Sequence, residues 1–391
     1  MLRGNSVLFS PTRIGSITLK NKFMRSATYE GLGSTDEKSF GDPRQELLNM
    51  MVELSRNDVG LIVPGFSAVS RRGMFHNDMN LLNKVHQAEK WTSAIEEIHK
   101  NGSKLFFQLC FCSDQKDDTD GRIISVSSFD PKSQRELSQA DIDDLITMYS
   151  HSAYLAKRAG ADGIQLHCAH KQILSHFLSP SLNHRSDKYG GSTENRVRIV
   201  KEIINEIKSI NGKEFPVTIK MNGNDYIPDG VTPEIAAEHV HHLINDVDMF
   251  EISCSLGGKM NSARNIIHEK SLFHKVPKNE QEGLLKAAKE LTSPFFEAFN
   301  LDSCKVIREK NPNATISLVG GLRNFSKMEE VVNSGLCNIV SMSRPFLQDP
   351  AIVRKFKEGT KSKSGCINCS SCLLKMKNGV YCHYNEVNKI K

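Results

Sequence analysis

His167 and His170 stand three residues apart just where a short apolar run, Gly163-Ile164-Gln165-Leu166, ends. An isolated H-x-x-H is a weak motif. At the carboxyl end of a buried strand the two imidazoles become a donor pair, able to grip one oxygen atom of a ligand and stabilise negative charge on it. Lys220 closes a second run, Val217-Thr218-Ile219-Lys220, where its roles are a fixed cation, a Schiff-base nucleophile or a structural salt bridge. Gln108, within Lys104–Leu109, donates and accepts at once, as the edge of a pyrimidine-type ring requires. Ser26-Ala27-Thr28 and Pro64-Gly65 end two further runs in small residues, which let a flat ring approach the backbone, and the Thr28 hydroxyl can bond a ring carbonyl. Val319-Gly320-Gly321-Leu322-Arg323 and Ser341-Met342-Ser343-Arg344-Pro345 follow the last two runs. Backbone N–H groups there, with Arg344, suit a phosphate.

These residues need elements that bring them together. Apolar runs at Phe23–Ser26, Gly60–Val63, Lys104–Leu109, Gly163–Leu166, Val217–Lys220, Met249–Ser253, Thr315–Val319 and Asn338–Met342 read as eight strands. Helical patterns such as Val200–Ile210 and Ile235–Ile244 fall between them. The alternation predicts an α/β chain, a (β/α)8 TIM barrel, with the polar residues at the strand ends where such barrels keep their chemistry. A doubly wound open sheet is the competing architecture, but it would want a G-x-G-x-x-G fingerprint and none is present. The gap from Cys254 to Ala314 must hold an excursion as well as a crossover helix. The expected division is a barrel over residues 1–358 and a short cysteine-rich C-terminal extension over 359–391.

Composition sets the bounds. The 391 residues, 39% hydrophobic and 25% charged, describe a globular chain with ample core. Fifty-one basic and 45 acidic residues give a net charge of +6, which suits anionic ligands, while no arginine-rich run interleaved with aromatics points to nucleic acid. No apolar run approaches the roughly 18 residues of a membrane span. Arg3, Arg13, Lys20, Lys22 and Arg25 precede the first acidic residue, Glu30, as in a transit peptide. Only about seven residues precede the first turns of the fold, too few for one, so a cytoplasmic protein is expected. Cys110, Cys112, Cys168, Cys254, Cys304 and Cys337 have no framework spacing and read as reduced thiols.

The block GADGIQLHCAHKQILSHFLSPSLNHRSDKYGGSTENRVR, Gly160 to Arg198, resembles the Old Yellow Enzyme family of FMN-dependent oxidoreductases, and the resemblance extends over about residues 8–357. It implies a barrel that binds FMN non-covalently, takes hydride from NADH or NADPH, and delivers it in the same cleft to a small-molecule acceptor: an activated alkene (as an ene-reductase), a quinone or a nitro compound. By that resemblance Ala27 and Thr28 lie beside the flavin's reactive edge and Gly65 permits its close approach. Gln108 meets its pyrimidine edge, and Lys220 stabilises the anionic reduced ring. Gly320, Gly321, Ser343 and Arg344 hold its phosphate. His167 and His170 are the implied catalytic pair, holding the acceptor's oxygen.

The chain departs from the family pattern at several points. Gly and Tyr normally follow H-x-A-H, and that tyrosine is proposed to protonate the substrate's α-carbon. Lys171 and Gln172 stand there instead, and an amide is no general acid at neutral pH. Enone reduction that depends on a phenol is therefore put in doubt, while quinone reduction is not. Cys110-Phe111-Cys112 replaces the aromatic–His pair usual after the glutamine, and Ser343 a usual glycine. Cys366, Cys369, Cys372 and Cys382 are similar to the [4Fe–4S] motif of 2,4-dienoyl-CoA and enoate reductases; zinc and a plain thiol-bearing tail are the other readings, and no metal ligand is assigned. Rival functions are a Schiff-base lyase built on Lys220 and a flavin redox sensor without turnover. No macromolecular partner is named by the sequence, and a homo-oligomer is compatible with it.

Overall fold

The computed structural model describes residues 3–113, 115–116, 121–256, 264–376 and 380–390. Eight parallel strands close on themselves: β1 (Phe23–Arg25), β2 (Leu61–Ile62), β3 (Lys104–Cys110), β4 (Gly163–Cys168), β5 (Val217–Asn222), β6 (Met249–Ser253), β7 (Ile316–Val319) and β8 (Ile339–Met342). The ring is sealed where Ser341 of β8 pairs with Met24 of β1, and where β3 pairs with β2 on one side and β4 on the other. Each expected strand is present. β4 and β5 run two residues further than the apolar pattern indicated, because His167 and Cys168 still pair with Lys220 and Met221. His167 and Lys220 therefore stand on the strands themselves, in register with each other.

One principal helix follows each strand: α1 (Gln45–Arg56), α2 (Thr92–Lys100), α3 (Gln139–Arg158), α4 (Arg198–Asn211), α5 (Pro233–Leu243), α6 (Leu301–Lys310), α7 (Phe325–Asn333) and α8 (Ile352–Glu358). In α4 the isoleucine-rich face, Ile199, Ile203, Ile204 and Ile207, is buried against the strands, the spacing of an amphipathic helix. The Ser138 side chain accepts the Asp141 N–H to cap α3, and Thr232 caps α5 just ahead of Pro233. Inside the barrel, Met24, Leu61, Phe106, Met249 and Ile339 pack with Ile14 and Leu19, which come from an N-terminal hairpin, Thr12–Ile14 with Ile17–Leu19. One feature carried no clear sequence signal. A three-stranded sheet of Gln115–Lys116, Ile123–Ser125 and Gln134–Glu136 lies between β3 and α3. The expected excursion after β6 carries helices Glu269–Leu272 and Lys278–Leu291.

Beyond α8 the extension folds back on the barrel. Asn324 pairs with Lys363, Lys375 donates to the Ser271 and His274 carbonyls (2.9 and 2.7 Å), and Asn385 donates to the Gln348 carbonyl (2.6 Å). Among the described residues no helix is long and apolar enough to cross a membrane.

Candidate active site

The polar residues of the strands form a chain across the barrel's interior. Gln108 donates to Gln165 (2.7 Å), and Gln165 donates to Glu251 (3.1 Å). Glu251 lies 3.7 Å from the Lys220 ammonium, which donates to the Ser26 hydroxyl (2.8 Å). All five side chains are buried. Burial pulls the Lys220 pKa down and Glu251 opposes that pull. A second buried pair, Arg25 with Glu30, ties β1 to β2: Arg25 also donates to the Ser26 and Val63 carbonyls (2.9 Å each).

Above this chain opens a cavity of about 610 Å³, the size of small-ligand and cofactor sites. Nine of the eleven expected site residues line it: Ala27, Thr28, His167, His170, Lys220, Gly320, Gly321, Ser343 and Arg344. They come from the ends of five strands and the loops that follow. Gly321 has a left-handed backbone (φ 71°), and a Cβ on it would meet the Phe295 ring at 2.7 Å. Arg344 donates to the Ser370 hydroxyl (2.8 Å) and the Arg264 carbonyl (3.1 Å), so it points to where the extension crosses the cavity mouth.

The other two expected residues are placed elsewhere. Gly65 does not line the cavity; its N–H donates to the Glu30 carboxylate (2.9 Å), and a Cβ would fall 1.9 Å from that oxygen. Glycine is needed there so that the Arg25–Glu30 pair can sit under the loop bearing Ala27 and Thr28. Gln108 does not line the cavity either, and its amide donates to Gln165 (2.7 Å). The Tyr189-Gly190-Gly191 and Glu194-Asn195-Arg196 segments are scaffold. Tyr189 is fully buried, and Asn195 donates to the Gly190 carbonyl (3.0 Å).

The two imidazoles stand together at the cavity. Their ring centroids are 5.3 Å apart at 84°, and the His170 Nε2 lies 2.7 Å from the Ser253 hydroxyl. Burial, then the Lys220 charge, pulls the His170 pKa down to about 3; burial, His170 and Lys220 hold His167 well below its ordinary value. Both rings are neutral throughout the physiological range. The His167 Nδ1 is buried with no partner among the described residues, as a group kept for a ligand would be.

Several contributors escaped the sequence reading. Glu251 and Ser253 were legible only as polar residues breaking the run Met249–Ser253. Tyr29, Phe66, Phe75 and Asn300 line the cavity from loops, and Asn368, Leu373, Met376 and Val380 of the extension cover it. The tail thiols lie near enough to bear on one another's charge, and burial pushes Cys372 up to about 12 and Cys382 to about 11. Among the described residues no three His, Cys, Asp or Glu side chains gather as a metal ion requires. Lys220 is held by Ser26, the Ala27 carbonyl (3.5 Å) and Glu251. Held in that way, its side-chain nitrogen is not the free amine that a Schiff-base lyase needs.

A closed parallel barrel with one basic, imidazole-bearing cavity at the carboxyl ends of its strands defines a (β/α)8-barrel enzyme. The chain belongs to the NADH:flavin oxidoreductase / NADH oxidase family, whose model matches residues 7–363, and it is an NAD(P)H-dependent oxidoreductase of the Old Yellow Enzyme type. It is 26% identical over 389 residues to a 4,4'-dithiodibutanoate disulfide reductase of Rhodococcus erythropolis, covering 96% of this chain and 94% of that protein. To an NADPH dehydrogenase of Bacillus subtilis (strain 168) it is 28% identical over 356 residues, 89% of this chain and 93% of that one. Among solved structures, an Old Yellow Enzyme homologue from Zymomonas mobilis shares the fold with a TM-score of 0.69 at 21% identity, covering 93% of this chain and 95% of that chain. A 2-naphthoyl-CoA reductase in complex with 2-naphthoyl-CoA matches with a TM-score of 0.76 at 20% identity over 94% of this chain. The present chain spans about half the length of that reductase, 54%.

Proposed function

We propose that this chain binds FMN non-covalently in the 610 Å³ cavity and passes hydride from NADH or NADPH to a small acceptor, with quinones and nitro compounds favoured over enones. The observation that carries the reading is the convergence of residues from separate strand ends on one cavity. Ala27 and Thr28 would flank the ring, Lys220 would face its electron-rich side, and Gly320, Gly321, Ser343 and Arg344 would hold the phosphate. FMN, when bound, supplies the hydride-carrying chemistry. The protein binds and orients the reactants: Lys220 offsets negative charge, and the two neutral imidazoles donate to the acceptor's oxygen. The residues fit the group, since the Gly321 cradle admits no side chain and the His167 Nδ1 is unpartnered. We assign no metal to Cys366, Cys369, Cys372 and Cys382. All ten cysteines are free thiols, which suits a cytoplasmic enzyme. The barrel over 1–358 is taken as the catalytic unit, with 359–391 as its cover.

The test is retention of the cofactor. The purified chain is expected to be yellow with releasable FMN, and Arg344→Ala to weaken FMN binding about 10- to 100-fold, because a charge-assisted contact of about 1.5–3 kcal/mol is lost. Ser370→Ala removes the guanidinium's bond to the tail but keeps its charge, so it should retain FMN far better. Titration of apoprotein with FMN by fluorescence quenching measures both. A colourless protein that ignores added FMN overturns the reading.

Phenols should bind as phenolates over the cofactor, giving a long-wavelength charge-transfer band that is lost in His167→Ala with His170→Ala. Because burial keeps both imidazoles neutral down to about pH 3 for His170, binding should rise with pH through the phenol's own ionisation, with no inflection near 6.5. An unchanged band in the double variant, or an inflection at that pH, would place the pair outside the acceptor site.

A further inference from the structure

The wall of the cavity beside Gln172 carries a second set of reactive groups that hydride transfer does not use. Cys110 ends β3 and Cys112 follows two residues later, so their side chains leave the chain on one side. Residues so spaced have Cα atoms about 6.6 Å apart, within the span a disulfide bridges. Cys110 is fully buried, while Cys112 lies on the cavity wall. The Cys110 thiol and the Gln172 side-chain amide bear on the charge of the Cys112 sulfur, while the Phe75 backbone N–H donates to the Met79 sulfur (3.2 Å). Cys112 and Gln172 also face each other as an antiparallel bridge, and Cys112 N–H donates to the Gly73 carbonyl (2.9 Å). The residue in place of the family tyrosine thus directs its amide at a sulfur, while its own Oε1 is buried without a partner among the described residues. Cys304 and Cys337 are also in contact, but neither lines the cavity.

We propose that Cys112 and Cys110 are a thiol–disulfide exchange pair that opens small organic disulfides bound in the cavity. The Cys110 thiol, and after it the Gln172 amide, pull the Cys112 thiol down, whereas burial pushes Cys110 up. That asymmetry separates an attacking thiolate from a resolving thiol. The Cys112 thiolate attacks one sulfur of RS–SR; the Cys112–SR bond forms, the S–S bond breaks, and RS⁻ leaves and takes a solvent proton. Cys110 then gives up its proton and attacks the Cys112 sulfur. The Cys110–Cys112 disulfide forms, and the second RS⁻ leaves as RSH. One disulfide is reduced by two electrons and the protein dithiol is oxidised by two. The dithiol is restored by the hydride of NAD(P)H and one solvent proton, the reductant the family's activity supplies. Tyr29, Phe66 and Phe75 give this side of the cavity an aromatic lining, and Lys171 favours substrates that carry a carboxylate.

The capture step stands apart from the flavin reading; only the restoring step rests on it. The holoenzyme, reduced with a phosphine and freed of it, is mixed with dithiobis(nitrobenzoate), an aromatic dicarboxylate disulfide with a coloured thiolate product, and then digested for mass spectrometry. The peptide spanning Cys110 and Cys112 should lose two hydrogens as two thiolates are released, and NAD(P)H should return it to the dithiol. Cys110→Ser should stop at a stable adduct on Cys112. Gln172→Leu should slow capture about ten-fold and move its pH profile upward, since a donor to the thiolate is gone. Wild-type protein that leaves this peptide unmodified, or Cys110→Ser that releases both thiolates from it, overturns the proposal. Capture without NAD(P)H–quinone turnover would count against the flavin reading alone, and the reverse outcome against the dithiol alone.

Discussion

Gln172→Tyr is expected to raise the rate at which the reduced enzyme is reoxidised by cyclohexenone, while the rate with a benzoquinone stays nearly constant. An enone must gain a proton on carbon as well as a hydride, and a quinone need not. Gln172 offers no acidic proton at neutral pH, whereas a positioned phenol contributes about 10²–10⁴-fold. The upper value is a ceiling, because Gln172 is buried between Cys112 and the start of helix Ile173–Leu178, and Lys171 before it has a left-handed backbone (φ 64°). Two other donors come into question. Cys168 is buried off the cavity, and its thiol is pushed far up by burial, so it is no acid for the substrate. Tyr29 lines the cavity but donates its proton to Asp78. Single-turnover mixing of both proteins with both acceptors decides the matter. Enone rates that do not change mean that Tyr29 or water already serves, and rates that rise equally for both acceptors mean a changed reduction potential and no new proton donor.

Lys220→Met should destabilise the fold by about 3–5 kcal/mol, the cost of leaving one member of a buried ion pair without its partner. Glu251 is fully buried, and its Oε1 has no hydrogen-bond partner among the described residues. Its other oxygen accepts from Gln165 at 3.1 Å and faces Lys220 at 3.7 Å. Adding Glu251→Gln removes the stranded charge and keeps an acceptor for Gln165, so the double variant should recover most of the loss. Denaturant unfolding of the wild type, both single variants and the pair gives the coupling directly. A loss below about 1 kcal/mol in Lys220→Met would mean that water reaches Glu251, and the ion pair would no longer explain why the lysine stays in place. The same variant should shift the reduction potential of bound FMN to more negative values, because no cation would then face the reduced ring.

Much of this molecule is legible in the order of its residues. Apolar runs at Phe23, Leu61, Leu105, Ile164, Val217, Phe250, Ile316 and Ile339 are buried on both faces of a parallel sheet, so they stand out without alternation and mark the strands. Chemistry at their carboxyl ends follows, because a parallel barrel gathers those ends on one side. For that reason the sequence could bring His167, His170, Lys220, Gly321 and Arg344 to one side of the barrel, where they line one cavity. Contacts between distant segments were decided only by the tertiary structure. Lys220 meets Ser26 across 194 positions and Arg344 meets Ser370 across the gap after α8. Gln108 turns to Gln165 and Gly65 yields its N–H to Glu30, so neither reaches the cavity, and Leu373, Met376 and Val380 close over it. Strand pattern reports which face of an element is apolar. It carries no information on which of several polar partners a buried side chain will choose, since that depends on distances set by packing the whole barrel.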